Sequence, residues 1–140
     1  MLMTKLLHPE ILEALAKAGH GSKVLIADGN FPFQTYAGPN AKLVFLNLMP
    51  GVVNATDTLK ALVGIVPIQS AHVMQPDEGP RPVIFDEFQK LLPDKISIES
   101  LPRAKFYESA YSRETALLIA TAEQRLFGNV LLTIGVVQPG

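Results

Sequence analysis

Residues 19–32 read GHGSKVLIADGNFP, and the class of fold turns on how this stretch is parsed. Lys23-Val-Leu-Ile-Ala is a short aliphatic run between Gly-His-Gly-Ser and Asp28-Gly-Asn, which is the punctuation of a buried strand over residues 23–28. Upstream, Pro9 and Glu10 suit a first helical turn: proline has no donor to leave unpaired there, and glutamate meets the positive end of the helix dipole. Ile11, Leu12, Leu15 and Ala16 then recur on one helical face, and Gly19 marks the stop. A helix feeding a buried strand through a glycine turn begins an α/β chain.

The alternation continues downstream. Gly29-Asn-Phe-Pro-Phe and Ala37-Gly-Pro-Asn are loop chemistry, and Ala41 to Leu48 reads as a second strand broken at Pro50-Gly51. A helix near Thr56 to Ile65 precedes a short strand at Ala71 to Met74, and Pro76 to Pro82 reads as a solvent loop. Ile84, Phe85, Phe88, Leu91 and Leu92 repeat with the period of one helix face, ended by Pro93. Lys95 to Leu101 reads as a strand and Ala104 to Tyr111 as a short helix. Thr115 to Ala122 and Val130 to Val137 are closing strands around Arg125-Leu-Phe-Gly-Asn. The expected fold is α/β: a single-domain, three-layer arrangement with a mostly parallel central sheet and an antiparallel strand pair near the C-terminus.

At 140 residues the chain is one domain with room for a real core. Only 18% of residues are charged, against about 25% in typical soluble domains, while 48% are hydrophobic. Mean hydropathy is +0.24, yet no apolar run approaches the ~20 residues of a membrane span. Such a surface is expected to be buried between subunits, so a homo-oligomer is predicted and a membrane partner is not. The 12 basic and 13 acidic residues are scattered, which argues against nucleic acid as a partner. With no cysteine and no secretory leader pattern at the start of the chain, a cytoplasmic location is expected.

His20 and Asp28 flank the first strand, eight residues apart. An extended run of that length spans about 26 Å, so the two meet at one site only by folding back or across a subunit boundary. Each also has a structural reading: a histidine just past a helix caps its last carbonyls, and Asp-Gly is ordinary turn chemistry. The carboxyl ends of strands, however, are where open α/β sheets place their ligands. His8 and His72 have no metal-ligand partner at useful spacing, so no catalytic metal is expected. Neither a nucleotide-binding glycine motif nor a nucleophile elbow is present, so no cofactor is expected.

The opening HPEILEALAKAGHGSKVLIADGNFP, the segment Arg103-Ala-Lys-Phe-Tyr-Glu, and Arg125-Leu-Phe-Gly-Asn-Val-Leu-Leu-Thr-Ile-Gly-Val together resemble the L-fucose mutarotase and D-ribose pyranase family, on the fucose side. The resemblance covers residues 8–32 and 103–137 and is less distinctive between them. It implies a small cofactor-free α/β enzyme assembled in rings, often decamers of two stacked pentamers, with monosaccharide sites between neighbouring subunits. On the matching positions it makes His20 the catalytic acid/base, Asp28 and Arg103 sugar ligands, and Phe127-Gly128-Asn129 the segment that completes the pocket. Arginine at position 103 resembles the fucose branch, where ribose pyranases tend to carry histidine. The family usually has tyrosine where this chain has Phe127, which removes one hydroxyl that both donates and accepts.

The implied reaction interconverts the α and β anomers of a free sugar. It needs a proton taken from the anomeric hydroxyl and one given to the ring oxygen, then both reversed after the aldehyde rotates. A histidine titrating near ~6.5 serves in either direction, and positioned proton transfer is worth about 10²–10⁴-fold. Asp28, Arg103 and Asn129 would supply directional bonds to sugar hydroxyls. Phe127, Phe31 and Phe33 offer apolar faces, with core packing the alternative, above all for Phe33. Tyr107 and Glu108 are read as structural members of their helix. The competing function is a non-catalytic sugar-binding ring protein whose activity is weakened by Phe127.

Overall fold

The computed structural model describes residues 1–140. Helix α1 (Pro9–Lys17) leads into β1 (Lys23–Ala27), followed by β2 (Lys42–Phe45), α2 (Ala55–Leu62), β3 (Ile68–Met74), α3 (Ile84–Leu91), β4 (Ile98–Leu101), α4 (Arg103–Ala110), β5 (Thr115–Ala120) and β6 (Val130–Ile134). The six strands form one sheet in the order β2-β5-β1-β6-β3-β4. β1 is parallel to β5, β5 to β2, and β3 to β4. β6 alone runs the other way, antiparallel to both β1 and β3. The two closing strands are therefore not partners of each other, because β1 lies between them. Five carboxyl ends and the amino end of β6 share one edge of the sheet.

Side chains of β1 alternate between the two faces, as period-2 geometry requires. Val24 and Ile26 join the larger apolar core with Ile11 of α1, Leu59 and Leu62 of α2, and Phe85 and Phe88 of α3. Leu25 and Ala27 join the smaller one with Phe31 and with Phe106 and Ala110 of α4. The molecule thus has three layers, with α1, α2 and α3 on one face of the sheet and α4 with the residues 29–37 loop on the other.

Local chemistry sets the element boundaries. The His8 side chain caps α1, Nδ1 accepting from the Ile11 N–H at 3.3 Å, with proline in the first turn. Ala14 rather than Ala16 packs on the core beside Leu12 and Leu15, and Ala16 faces solvent. The strand expected from Lys95 begins only at Ile98. Gln89 of α3 intercepts the preceding backbone, donating to the Ile96 carbonyl at 2.7 Å and accepting from the Ile98 N–H at 2.9 Å. No helix is long and apolar enough to cross a membrane.

Candidate active site at one edge of the sheet

Asp28 follows the last residue of β1 and is buried, 4% exposed. Its carboxylate accepts three hydrogen bonds: Oδ1 from the Asn30 N–H at 3.0 Å, Oδ2 from the Gly128 N–H at 3.1 Å and from Asn129 Nδ2 at 3.2 Å. The Asp28 N–H in turn donates to Asn129 Oδ1 at 2.7 Å, so the Asp28 and Asn129 residues grip each other from both ends. Burial raises the Asp28 carboxyl above the ordinary aspartate value, and the surrounding N–H groups of Asn30, Gly128, Phe31 and Asn129 oppose that rise. Asp28 is both the turn residue and the carboxylate of a cavity.

Residues 121–129 carry the segment from β5 to β6 across the end of β1. Phe127 adopts φ 60°, left-handed backbone rare for a residue with a side chain. Gly128 is required beside it: a Cβ there would stand 2.7 Å from Glu123 Cγ and 2.9 Å from the Arg125 carbonyl oxygen. This turn sets the Gly128 N–H on Asp28 and swings the Phe127 ring outward, where the Arg103 guanidinium lies 5.7 Å from the ring centroid. Arg103, at the first turn of α4, is also tethered by Asp77, with Nε 3.4 Å from Oδ2.

Asp28, Arg103, Phe127 and Asn129 line one cavity of about 170 Å³, together with Asn30, Phe31, Met74, Tyr107 and Leu126. That volume lies below the range of roughly 300–1,000 Å³ typical of sites for drug-sized ligands, and suits a small polar molecule. Phe31 is a wall, while Phe33 packs at 6.1 Å against Phe45 and does not reach the cavity. Tyr107, read from sequence as structural, stands one helical turn from Arg103, stacks on Phe31 at 5.5 Å and forms part of the lining. The i, i+4 spacing from Arg103 was the signal for it. Glu108 stays outside, facing Lys105 on the surface.

His20 is not in this cavity. It lies at the opposite end of β1, where the Gly21 N–H bonds the Ile134 carbonyl at the finish of β6. β1 has five residues, which at about 3.3 Å each hold the two ends roughly 17 Å apart. The His20 ring is exposed and its Nε2 lies 2.9 Å from Gln69 Oε1. It makes no bond to the carbonyls of α1, which sets aside the capping role.

Sequence reasoning missed Glu123. This carboxylate is buried, 4% exposed, just past β5, and it faces Arg125 two residues on. A Glu-x-Arg pair ending an apolar strand was the available signal. No three His, Cys, Asp or Glu side chains converge as a metal site.

A family model described as the RbsD / FucU transport protein family matches residues 1–137. Fucose mutarotase from Danio rerio is 31% identical over 147 residues, covering 95% of this chain and 91% of that protein. D-ribose pyranase from Variovorax paradoxus is 30% identical, covering 97% of this chain and 98% of that one. The crystal structure of the fucose mutarotase in complex with L-fucose from Streptococcus pneumoniae superposes with a TM-score of 0.83 at 25% identity, covering 99% of this chain and 100% of that one.

Proposed function

The chain belongs to the RbsD / FucU transport protein family, and on that footing we propose that it is a cofactor-independent isomerase exchanging the α and β anomers of a free monosaccharide, with L-fucose or a sugar like it as substrate. The observation that carries this reading is the cavity itself. A carboxylate held by three donors, an arginine and an amide converge with aromatic faces in a space of about 170 Å³. These are the groups that recognise a ring with hydroxyls on its rim and C–H bonds on its face.

In this mechanism Asp28, Arg103 and Asn129 bind the sugar hydroxyls and Phe127 covers an apolar face. The His20 imidazole takes the proton of the anomeric hydroxyl. The C1–O5 bond breaks as the histidine hands that proton to the ring oxygen, and an open-chain aldehyde results. Rotation about C1–C2 followed by the reverse transfers closes the other anomer. Because His20 and Asp28 stand at opposite ends of β1, the histidine of each site comes from a neighbouring copy.

Exposed apolar residues support that assembly. Leu48, Met49 and Val52 are exposed in the segment after β2, and Leu48 and Met49 border Asn30 and Gln124 at the cavity edge of the sheet. Val136 and Val137 are exposed just beyond β6, at the His20 edge. Two unlike patches at opposite ends are what a head-to-tail interface needs, such an interface forms a ring where its rotation closes, and a decamer of two pentamers is the proposed form. The cytoplasm is the proposed location.

The test is exchange NMR on L-fucose, D-ribose and galactose at anomeric equilibrium, with light scattering on the same sample. Magnetisation transfer between anomer signals, and a mass well above a dimer of the 15.2 kDa chain, are expected. Sugar binding without exchange would instead identify a non-catalytic ring protein, the alternative that Phe127 keeps open. For the same reason Phe127→Tyr is expected to speed exchange: one added hydrogen bond of about 0.5–1.5 kcal/mol corresponds to roughly two- to twelvefold. A flat or lower rate would mean that the pocket is shaped around phenylalanine for another sugar.

A further inference from the structure

We propose that Glu123 is a positioning residue of this site, holding through Arg125 the turn from which Gly128 and Asn129 grip Asp28. The inference rests on the mutarotase reading for its catalytic consequence, and on geometry alone for the turn. Glu123 touches nothing in the cavity, yet its carboxylate is saturated with donors. Oε1 accepts from Arg125 Nε at 2.9 Å and from the Arg125 N–H at 3.1 Å. Oε2 accepts from Arg125 Nη2 at 3.0 Å and from the Ala55 N–H, at the start of α2, at 3.1 Å. The guanidinium is thus held in a two-pronged pair, the geometry that fixes an arginine best. Arg125 reaches onward to Thr56 at 3.3 Å and to Glu87 of α3, so the turn is fastened to two helices of the opposite layer.

Two further observations tie this clamp to the cavity. The Gly128 backbone rests directly on the Glu123 side chain, so closely that a Cβ would lie 2.7 Å from Cγ. Phe127, between Arg125 and Gly128, holds its left-handed backbone, which persists only where the surroundings over-determine it. Without the Glu123 carboxylate, Arg125, 40% exposed and still paired with Glu87, would lose the two-pronged partner that fixes it against the turn presenting the Gly128 N–H to Asp28.

Glu123→Gln keeps the shape and replaces one acceptor by a donor facing other donors. Three readouts are measured: affinity for L-fucose and D-ribose by calorimetry, anomer exchange by NMR, and the Gly128 amide proton shift, which reports its bond to Asp28. Glu123→Gln is expected to move the Gly128 signal upfield and to weaken affinity and exchange at least about tenfold. Glu87→Gln, which removes only the exposed partner of Arg125 and leaves its two-pronged pair with Glu123 in place, should change all three far less than Glu123→Gln does. If Glu123→Gln does not fold, Arg125→Lys decides, because it keeps the charge and loses the two-pronged geometry; the same upfield shift and loss of affinity are expected. Wild-type values of the amide shift and affinity in a folded Glu123→Gln or Arg125→Lys protein overturn the proposal. A wild type that binds and exchanges no sugar would sink the mutarotase reading instead, and the amide shift alone would then decide on Glu123.

Discussion

Replacing His20 by alanine is expected to slow anomer exchange by about 10²–10⁴-fold, the range that a positioned acid/base contributes, while leaving sugar affinity and assembly near those of the wild type. The ring is exposed and makes one hydrogen bond, to Gln69, so its removal costs the fold little; surface changes of this kind usually lie within about 0.5 kcal/mol. The effect should therefore fall on the catalytic rate and not on binding, a split that exchange NMR and calorimetry on the same samples would show. Wild-type exchange in the variant would remove His20 from the mechanism. Equal loss of affinity and rate would make it a binding group.

The second large effect is expected at Asp28. In Asp28→Asn only one side-chain oxygen remains, so at least one of the Asn30, Gly128 and Asn129 donors faces an amide NH₂. A buried donor left unpaired costs about 1–3 kcal/mol. A bond from a sugar hydroxyl to a carboxylate is worth about 1.5–3 kcal/mol, so affinity should fall roughly 10- to 150-fold. The pH dependence of stability carries a separate signature. Since burial raises the folded carboxyl above its ordinary value, the stability linked to this group is fully present below the unfolded value of about 3.9 and is lost as pH rises through the folded one. Asp28→Asn stays neutral throughout, so the stability of the wild type relative to the variant should decline across that window in thermal melts. A relative stability that rises with pH there would mean that the carboxylate is favoured by its donors more than it is penalised by burial.

The alternation of helices and strands was legible because β1 and α3 carry their periods openly: Leu25 and Ala27 face one layer, Val24 and Ile26 the other, and Phe85 and Phe88 lie on one buried stripe. Strand order was not. Nothing in the local sequence of β6 states that it runs against β1 and β3 while β5 pairs on the far side of β1; that follows from long-range packing. The sequence-predicted residues Asp28, Arg103, Phe127 and Asn129 come together in one cavity, and the distance from His20 to Asp28 was foreseeable from chain geometry. Tyr107 and Glu123 were harder to read. Each looks like an ordinary member of its element until the fold shows which neighbour it faces, the cavity for one and the Arg125 guanidinium for the other.

The reversal of β6 also decides where spare chain accumulates. β5 stops at Ala120 and β6 starts at Val130 on the same edge, one strand apart, a gap of about 10 Å at the usual strand spacing. The connecting residues could reach roughly 30 Å if extended. Closing the sheet thus consumes only a fraction of them, and the slack is what coils over the end of β1 as the left-handed Phe127, the close-packed Gly128 and the Glu123–Arg125 clamp. Folding and the proposed sugar recognition consequently draw on different portions of one loop. A lineage that trimmed this surplus could keep the sheet and surrender the cavity, whereas one that lengthened it would have raw material for a new specificity without disturbing the core.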